Sequence, residues 1–235
     1  NKKLYIGTNQ GLFCKDISPN SKFEFVLNTK GQVWSLFSHQ NTLFCGHDSG
    51  TFIVEDNSAK QIFNASGTWN FVPHSNTILL QGNYNGISVL EKNGNTWKFK
   101  NKIKNFNYSS KHFEILHSNE VFVSHEYKGV FKFTIDNLLT KASKVEKFNA
   151  PSKGKNASLV KFNDQIYYAY KEGVFIWNAK ENKFQKNDVL SAIFVNDEYV
   201  TGKMVVDKSN KLWFFTKNYI HNFSSEKLSA DLKKN

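Results

Sequence analysis

The sequence predicts an all-β protein, a β-propeller of four-stranded antiparallel blades, on three observations. A degenerate hairpin motif recurs six times along 235 residues. Its glycine advances from Gly11 to Gly50, Gly86, Gly129 and Gly173, in steps of 39, 36, 43 and 44 residues. Weaker strand-forming segments flank each hairpin, which makes four strands per unit of about 40 residues, the size of a propeller blade.

Each motif is an apolar triplet, a small or polar residue, a short polar turn and a second apolar run. The copies are Leu4-Tyr5-Ile6-Gly7 to Gly11-Leu12-Phe13, then Leu43-Phe44-Cys45-Gly46 to Gly50-Thr51-Phe52. Ile78-Leu79-Leu80-Gln81 to Gly86-Ile87-Ser88 and Val121-Phe122-Val123-Ser124 to Gly129-Val130-Phe131 follow. Ile166-Tyr167-Tyr168-Ala169 to Gly173-Val174-Phe175 is the fifth, and Leu212-Trp213-Phe214-Phe215 to Tyr219-Ile220 the sixth, which lacks the glycine. Near-continuous apolar character marks strands covered on both faces, and glycine suits the positive φ of a tight turn. Inner strands are expected at 33–37, 69–72, 113–116, 159–162 and 204–206, and more polar outer ones at 22–25 and 97–100. The blades fall at about 1–29 (partial), 30–65, 66–107, 108–153, 154–187 and 188–235 of a single propeller domain or segment.

A hydrophobic fraction of 40% with 15% aromatic residues suits one large β domain, and no apolar run is long enough to span a bilayer. One Met and an Asn at position 1 suggest a piece of a longer chain. The net charge of +11 invites a nucleic-acid reading, but all 31 basic residues are Lys. Without the bidentate fork of Arg, direct nucleic-acid binding is not expected. Lysines alternate through 98–104 and cluster at 144–147 and 180–186. On outer strands they would keep exposed edges from pairing with other chains, with an acidic partner or anionic glycan as the alternative. Cys14 and Cys45 read as small buried side chains. Sequons begin at Asn64, Asn107, Asn156 and Asn222, as an Asn-rich chain produces by chance.

No hydrolase elbow, zincin, phosphate loop or CxxC motif is present, so an enzyme is not expected, nor a cofactor. Seven His are scattered without ligand spacing, and no metal site is expected. Successive hairpin turns of a propeller share one face, where they can line a pocket. The candidates there are His47, Asp48, Asn83, Tyr84, His125, Glu126, Tyr127, Tyr170, Glu172 and Asn218, joined by Trp34 and Trp69 at the starts of inner strands. Aromatic rings beside carboxylates and amides suit a carbohydrate, whose apolar face stacks on a ring while its hydroxyls find polar partners.

The stretch Lys3-Leu4-Tyr5-Ile6-Gly7-Thr8-Asn9-Gln10-Gly11-Leu12-Phe13 resembles the two-component regulator propeller repeat: an aromatic-bearing strand, Gly-Thr, a turn and Gly-Leu. Later copies are looser, with Gly46-His47 in place of Gly-Thr. Glu198-Tyr199-Val200-Thr201-Gly202-Lys203-Met204-Val205-Val206-Asp207 resembles the branch attached to transcriptional regulators. The resemblance implies a periplasmic sensor of a bacterial hybrid histidine kinase or a membrane-anchored helix-turn-helix regulator. It also implies a Tyr-rich immunoglobulin-like domain, a membrane helix and an output domain elsewhere in the parent chain. Propellers of that family commonly have seven blades, so six visible units suggest a segment of a larger or tandem ring. The expected function is extracytoplasmic recognition of an oligosaccharide or polymer fragment. The alternative is a protein-interaction or homodimerisation scaffold without a small ligand.

Overall fold

The glycine-closed motifs fold as antiparallel hairpins, and each hairpin lies within a sheet of three or four strands. The structure, a computed structural model, describes residues 2–65, 67–148, 151–196 and 199–224. The first sheet is β1 (Lys3–Gly7), β2 (Leu12–Asp16) and β3 (Glu24–Phe25). The second is β4 (Val33–His39), β5 (Thr42–His47), β6 (Gly50–Glu55) and β7 (Ser58–Phe63). The third is β8 (Thr68–Pro73), β9 (Ile78–Asn83), β10 (Gly86–Asn93) and β11 (Thr96–Lys102). The fourth is β12 (His112–Ile115), β13 (Glu120–His125), β14 (Gly129–Ile135) and β15 (Ala142–Phe148). The fifth is β16 (Ser158–Phe162), β17 (Gln165–Tyr170), β18 (Gly173–Asn178) and β19 (Lys183–Asn187). The sixth is β20 (Met204–Val206), β21 (Lys211–Phe215) and β22 (Ile220–Ser224). Every sheet pairs its strands in chain order, the meander of a propeller blade. The chain divides into two compact units, residues 1–111 with the first three blades and 112–235 with the last three.

The glycines sit where the repeat places them. His47 pairs with Gly50 and Asn83 with Gly86 across the turns, and all five motif glycines have positive φ. Gly50 shows why no other residue serves: its φ is +137°, and a Cβ there would lie 1.9 Å from the Phe63 carbonyl oxygen.

Core forms between successive blades within each unit, because both faces of the middle strands are apolar. In the first unit Phe44 of β5, Phe71 of β8 and Trp97 of β11 make one cluster, with Trp97 edge-on to Phe44 at 5.3 Å. Leu12 and Cys14 of β2 pack with Cys45 and Phe52 of the next blade in another. Both cysteines are buried and free, and burial pushes the Cys45 thiol up to about 12. In the second unit Trp177 meets Phe122 at 5.0 Å and Phe148 at 5.2 Å, with the Lys132 ammonium 4.8 Å over its ring.

Apart from Lys104 and Lys180, the clustered lysines lie on β11, β15 and β19, each the last strand of its sheet, where they suit edge protection. The edge of β7 is instead partly covered. Leu27 N–H donates to Asn57 O, Ala59 N–H to Leu27 O, and the Asn28 amide to Ala59 O.

One element departs from the repeat. The segment read as the start of the sixth blade folds as α1 (Asp188–Asn196) before β20 begins. Asn187 Oδ1 accepts the Leu190 N–H at 2.9 Å and caps the helix, while Leu190 and Phe194 bury one face against Met204, Leu212 and Phe214.

Candidate recognition site

Near their starts β4 and β8 each carry one residue that their partner strand does not match. Val33 pairs with His47 and Ser35 with Gly46, which leaves Trp34 unpaired. Thr68 pairs with Asn83 and Asn70 with Gly82, which leaves Trp69 unpaired. An extra residue of this kind bends its strand and re-aims the side chain. Here two equivalent bulges in neighbouring blades turn two indoles toward each other, with ring centroids 4.7 Å apart.

Tyr84, from the turn between β9 and β10, completes the cluster. Its ring lies 4.8 Å from that of Trp69, and its hydroxyl accepts the Trp34 indole N–H at 3.0 Å. Burial, chiefly, raises the phenol above its ordinary range, with Trp34 opposing and Asp48 adding to the rise, so the hydroxyl stays protonated at neutral pH. Gly67 gives the tyrosine its seat, since a Cβ at φ +70° would fall 2.0 Å from the Tyr84 ring. The Lys111 ammonium stands 5.2 Å over Trp69, a cation held by the ring face. Trp34 remains 37% exposed, so a ring fixed by stacking and by its own N–H offers area to a ligand.

Beneath the aromatics runs a buried polar chain. Asn83 Nδ2 donates to Gly67 O and to Thr68 Oγ1, both at 3.1 Å. Thr51 Oγ1 lies 2.9 Å from Thr68 Oγ1 and donates to Gln81 Oε1 at 2.7 Å, so Thr68 must be the donor to Thr51. All four side chains are buried. Among the described residues the chain leaves Gln81 Nε2 and Asn83 Oδ1 without partners, and the neighbouring Trp69 Nε1 and Ser35 Oγ are also buried and unpaired. A buried polar atom without a partner costs about 1–3 kcal/mol, so this group of donors and acceptors weighs against stability.

His47 and Asp48 occupy the next turn, in different roles. His47 is buried, with Nε2 3.3 Å from Thr29 O, and its Nδ1 accepts the Ser49 N–H at 3.1 Å. It packs on Gly31 and braces the turn. Asp48 is half-buried, with Oδ1 2.6 Å from His47 Nδ1, and its carbonyl accepts the Gly67 N–H.

The remaining candidates belong to the second unit. His125 accepts the Tyr127 N–H at 3.1 Å, and burial first, then Lys128, holds its imidazole below the ordinary value. Glu126 is half-buried, while Tyr127 and Glu172 are exposed. Tyr170 packs edge-on against Tyr199 at 5.8 Å, under the Lys171 ammonium, and Tyr199 donates to Asn156 O. Asn218 lies in the turn joining β21 to β22. Glu198, part of the regulator-like stretch, lies outside the described residues.

Thus Trp34, Trp69 and Tyr84 come together as one cluster from three separate segments. The bulges, Gly67, Lys111 and the Thr51–Gln81 chain were not anticipated. A signal existed for the bulges: Val-Trp-Ser at 33–35 and Thr-Trp-Asn at 68–70 place a Trp before a small polar residue at the same point of consecutive repeats. Among the described residues no three His, Cys, Asp or Glu side chains form a metal-holding group, and no helix is long and apolar enough to cross a membrane.

No family model matches the chain, and no curated protein matches it in sequence. Its fold is similar to solved propellers. The WD40 β-propeller domain of Doa1 aligns over 96% of this chain and 76% of its own, at 13% identity and a TM-score of 0.62. The computationally designed protein Ika8 aligns over 95% and 68%, at 11% identity and a TM-score of 0.63. The extracellular domain of a B. thetaiotaomicron protein described as a one component system aligns over 94% and 36%, at 13% identity and a TM-score of 0.44, too loose a likeness to argue from. At these identities the likeness is one of fold, and the fold is an all-β propeller of six antiparallel blades.

Proposed function

We propose that this chain is a ligand-recognition propeller, the extracytoplasmic sensing part of a bacterial signal-transduction or transcriptional regulator, and that it binds an oligosaccharide or polymer fragment at Trp34. The regulator assignment rests on the repeat-like residues 3–13. The binding assignment rests on one observation: an exposed indole is held in place by stacking on Trp69 and by its own N–H bond to Tyr84. A sugar ring suits such a platform, because its apolar face stacks on a fixed indole.

A glycan panel titrated calorimetrically against the chain tests this reading. At least one glycan is expected to bind, and Trp34→Ala is expected to weaken it about thirtyfold, roughly 2 kcal/mol, the scale of a tryptophan anchor. The variant also loses the stacking on Trp69 and the bond to Tyr84, so a lower melting temperature is expected and binding is compared well below it. If no glycan binds at concentrations far above plausible dissociation constants, sugar recognition is wrong. Capture of a protein partner in that case favours the interaction-scaffold reading.

A further inference from the structure

In the turn between β5 and β6 one nitrogen has neighbours that need opposite protonation states. His47 Nδ1 accepts the Ser49 N–H at 3.1 Å and lies 2.8 Å from Ser49 Oγ, which suits a lone pair. The same nitrogen lies 2.6 Å from Asp48 Oδ1, and a carboxylate oxygen at that distance needs a proton between them. Nε2 faces the Thr29 carbonyl at 3.3 Å and keeps its own proton there, so a neutral imidazole has none to give Asp48. The Asp48 contact therefore persists only while the pair holds one further proton. Asp48 Oδ1 is buried and, this contact aside, has no partner among the described residues. The side chain as a whole is 41% exposed, so a carboxylate released from His47 can turn to water. The elements packed on the imidazole present one ionisable side chain, Asp48. From β6 comes Phe52, edge-on at 5.2 Å, and from the segment before β4 come the Thr29 carbonyl and Gly31, with Lys30 between them exposed.

The main chain of Asp48 ties this turn to the aromatic cluster. Its N–H donates to Gln32 O at 3.0 Å, two residues before Trp34, and its carbonyl accepts at 2.7 Å from Gly67, which seats Tyr84. The Asp48 charge also acts on the Tyr84 hydroxyl, the acceptor of the Trp34 indole N–H.

We propose that His47 and Asp48 form a proton-operated latch on the Trp34–Tyr84 platform. While the pair holds its proton, Nδ1 donates to Asp48 Oδ1, the turn is fixed, and Gln32 and Gly67 keep the platform in place. When that proton leaves for solvent, the Nδ1 lone pair repels the carboxylate, Asp48 swings outward, Nδ1 is left to Ser49, and the platform loosens. Histidine ordinarily titrates between about pH 5 and 8, so a glycan should bind more weakly as pH rises across that range. This consequence rests on Trp34 being the recognition platform, whereas the coupling itself does not.

The test is a ligand-free pH titration over about pH 5 to 8, with the His47 ring and the Trp34 indole N–H followed by NMR. The Trp34 signal is expected to move with the midpoint of His47. Asp48→Asn alters a side chain partly in water and should keep the fold. It should lower the His47 midpoint, because the imidazolium loses its carboxylate, and flatten the Trp34 titration. A Trp34 signal that stays still, that follows His39 of the same strand instead, or that titrates unchanged in Asp48→Asn would overturn the latch. With a glycan that binds, affinity should fall about tenfold between the two ends of the range, and about twofold or less in Asp48→Asn. Equal affinity at both ends would overturn the latch while leaving recognition intact. If no glycan binds yet the two signals titrate together, the latch stands and the recognition reading fails.

Discussion

At the scale of single residues, Glu114 and Thr51 make their predictions through what surrounds them. The Glu114 side chain on β12 is half-buried, and burial pushes its carboxyl up to about 8, opposed by the Lys161 backbone N–H and the Lys161 charge. In the unfolded chain the same group titrates near 4.5. Between those values the folded state holds a proton that the unfolded state has released, so stability falls as pH rises from 4.5 through about 8. Chemical denaturation across that range should show a decline on the order of a few kcal/mol that Glu114→Gln lacks. An unchanged slope in the variant would show that the carboxyl is solvated. Thr51→Val keeps the shape but removes the donor to Gln81 and the acceptor for Thr68. It should cost about 1–3 kcal/mol by denaturant midpoint, since buried groups are left unpaired. The types of these residues were plain in the sequence, but their partners were not. Glu114 and Lys161 are joined only by neighbouring inner strands, and nothing in a local pattern ties Thr51 to Gln81.

Among elements, the hairpins were the most legible feature and the bulges the least. Apolar runs and turn glycines are local signals, so all six motifs and the inner strands at 33–37, 69–72, 113–116, 159–162 and 204–206 fall on strands of the structure or within one residue of their ends. A bulge changes the face of one residue without altering composition, and alternation read over a few residues does not register it. The helix α1 escaped for a related reason. Its single apolar stripe spans nine residues, in a chain where apolar runs elsewhere mean strands. Gly50→Ala tests the turn chemistry. The left-handed backbone and the Phe63 carbonyl both oppose a methyl group, so a loss of about 2–4 kcal/mol is expected in equilibrium unfolding. Gly67→Ala should displace Tyr84 and, with it, the fixed position of the Trp34 ring, seen as a change in tryptophan near-UV circular dichroism.

For the whole molecule, charge and repetition are the governing facts. A net +11 carried entirely by lysine gives a positive field without the geometry for base readout. Duplex DNA should therefore bind only weakly and without sequence preference, with affinity falling steeply as salt approaches about 0.15 M. Sequence-selective retention at that ionic strength would contradict this. Repetition also gives the twin bulges a wider meaning. Because each is a single added residue inside a strand whose flanking turns are undisturbed, a recognition surface of this kind can be installed blade by blade. The equivalent point of β16, at Ser158, pairs in regular register with Ala169. Inserting one tryptophan there is the same one-residue edit that distinguishes β4 and β8 from a plain blade. The scaffold thus separates what it binds from how it folds, and its repertoire can widen without a new core being invented.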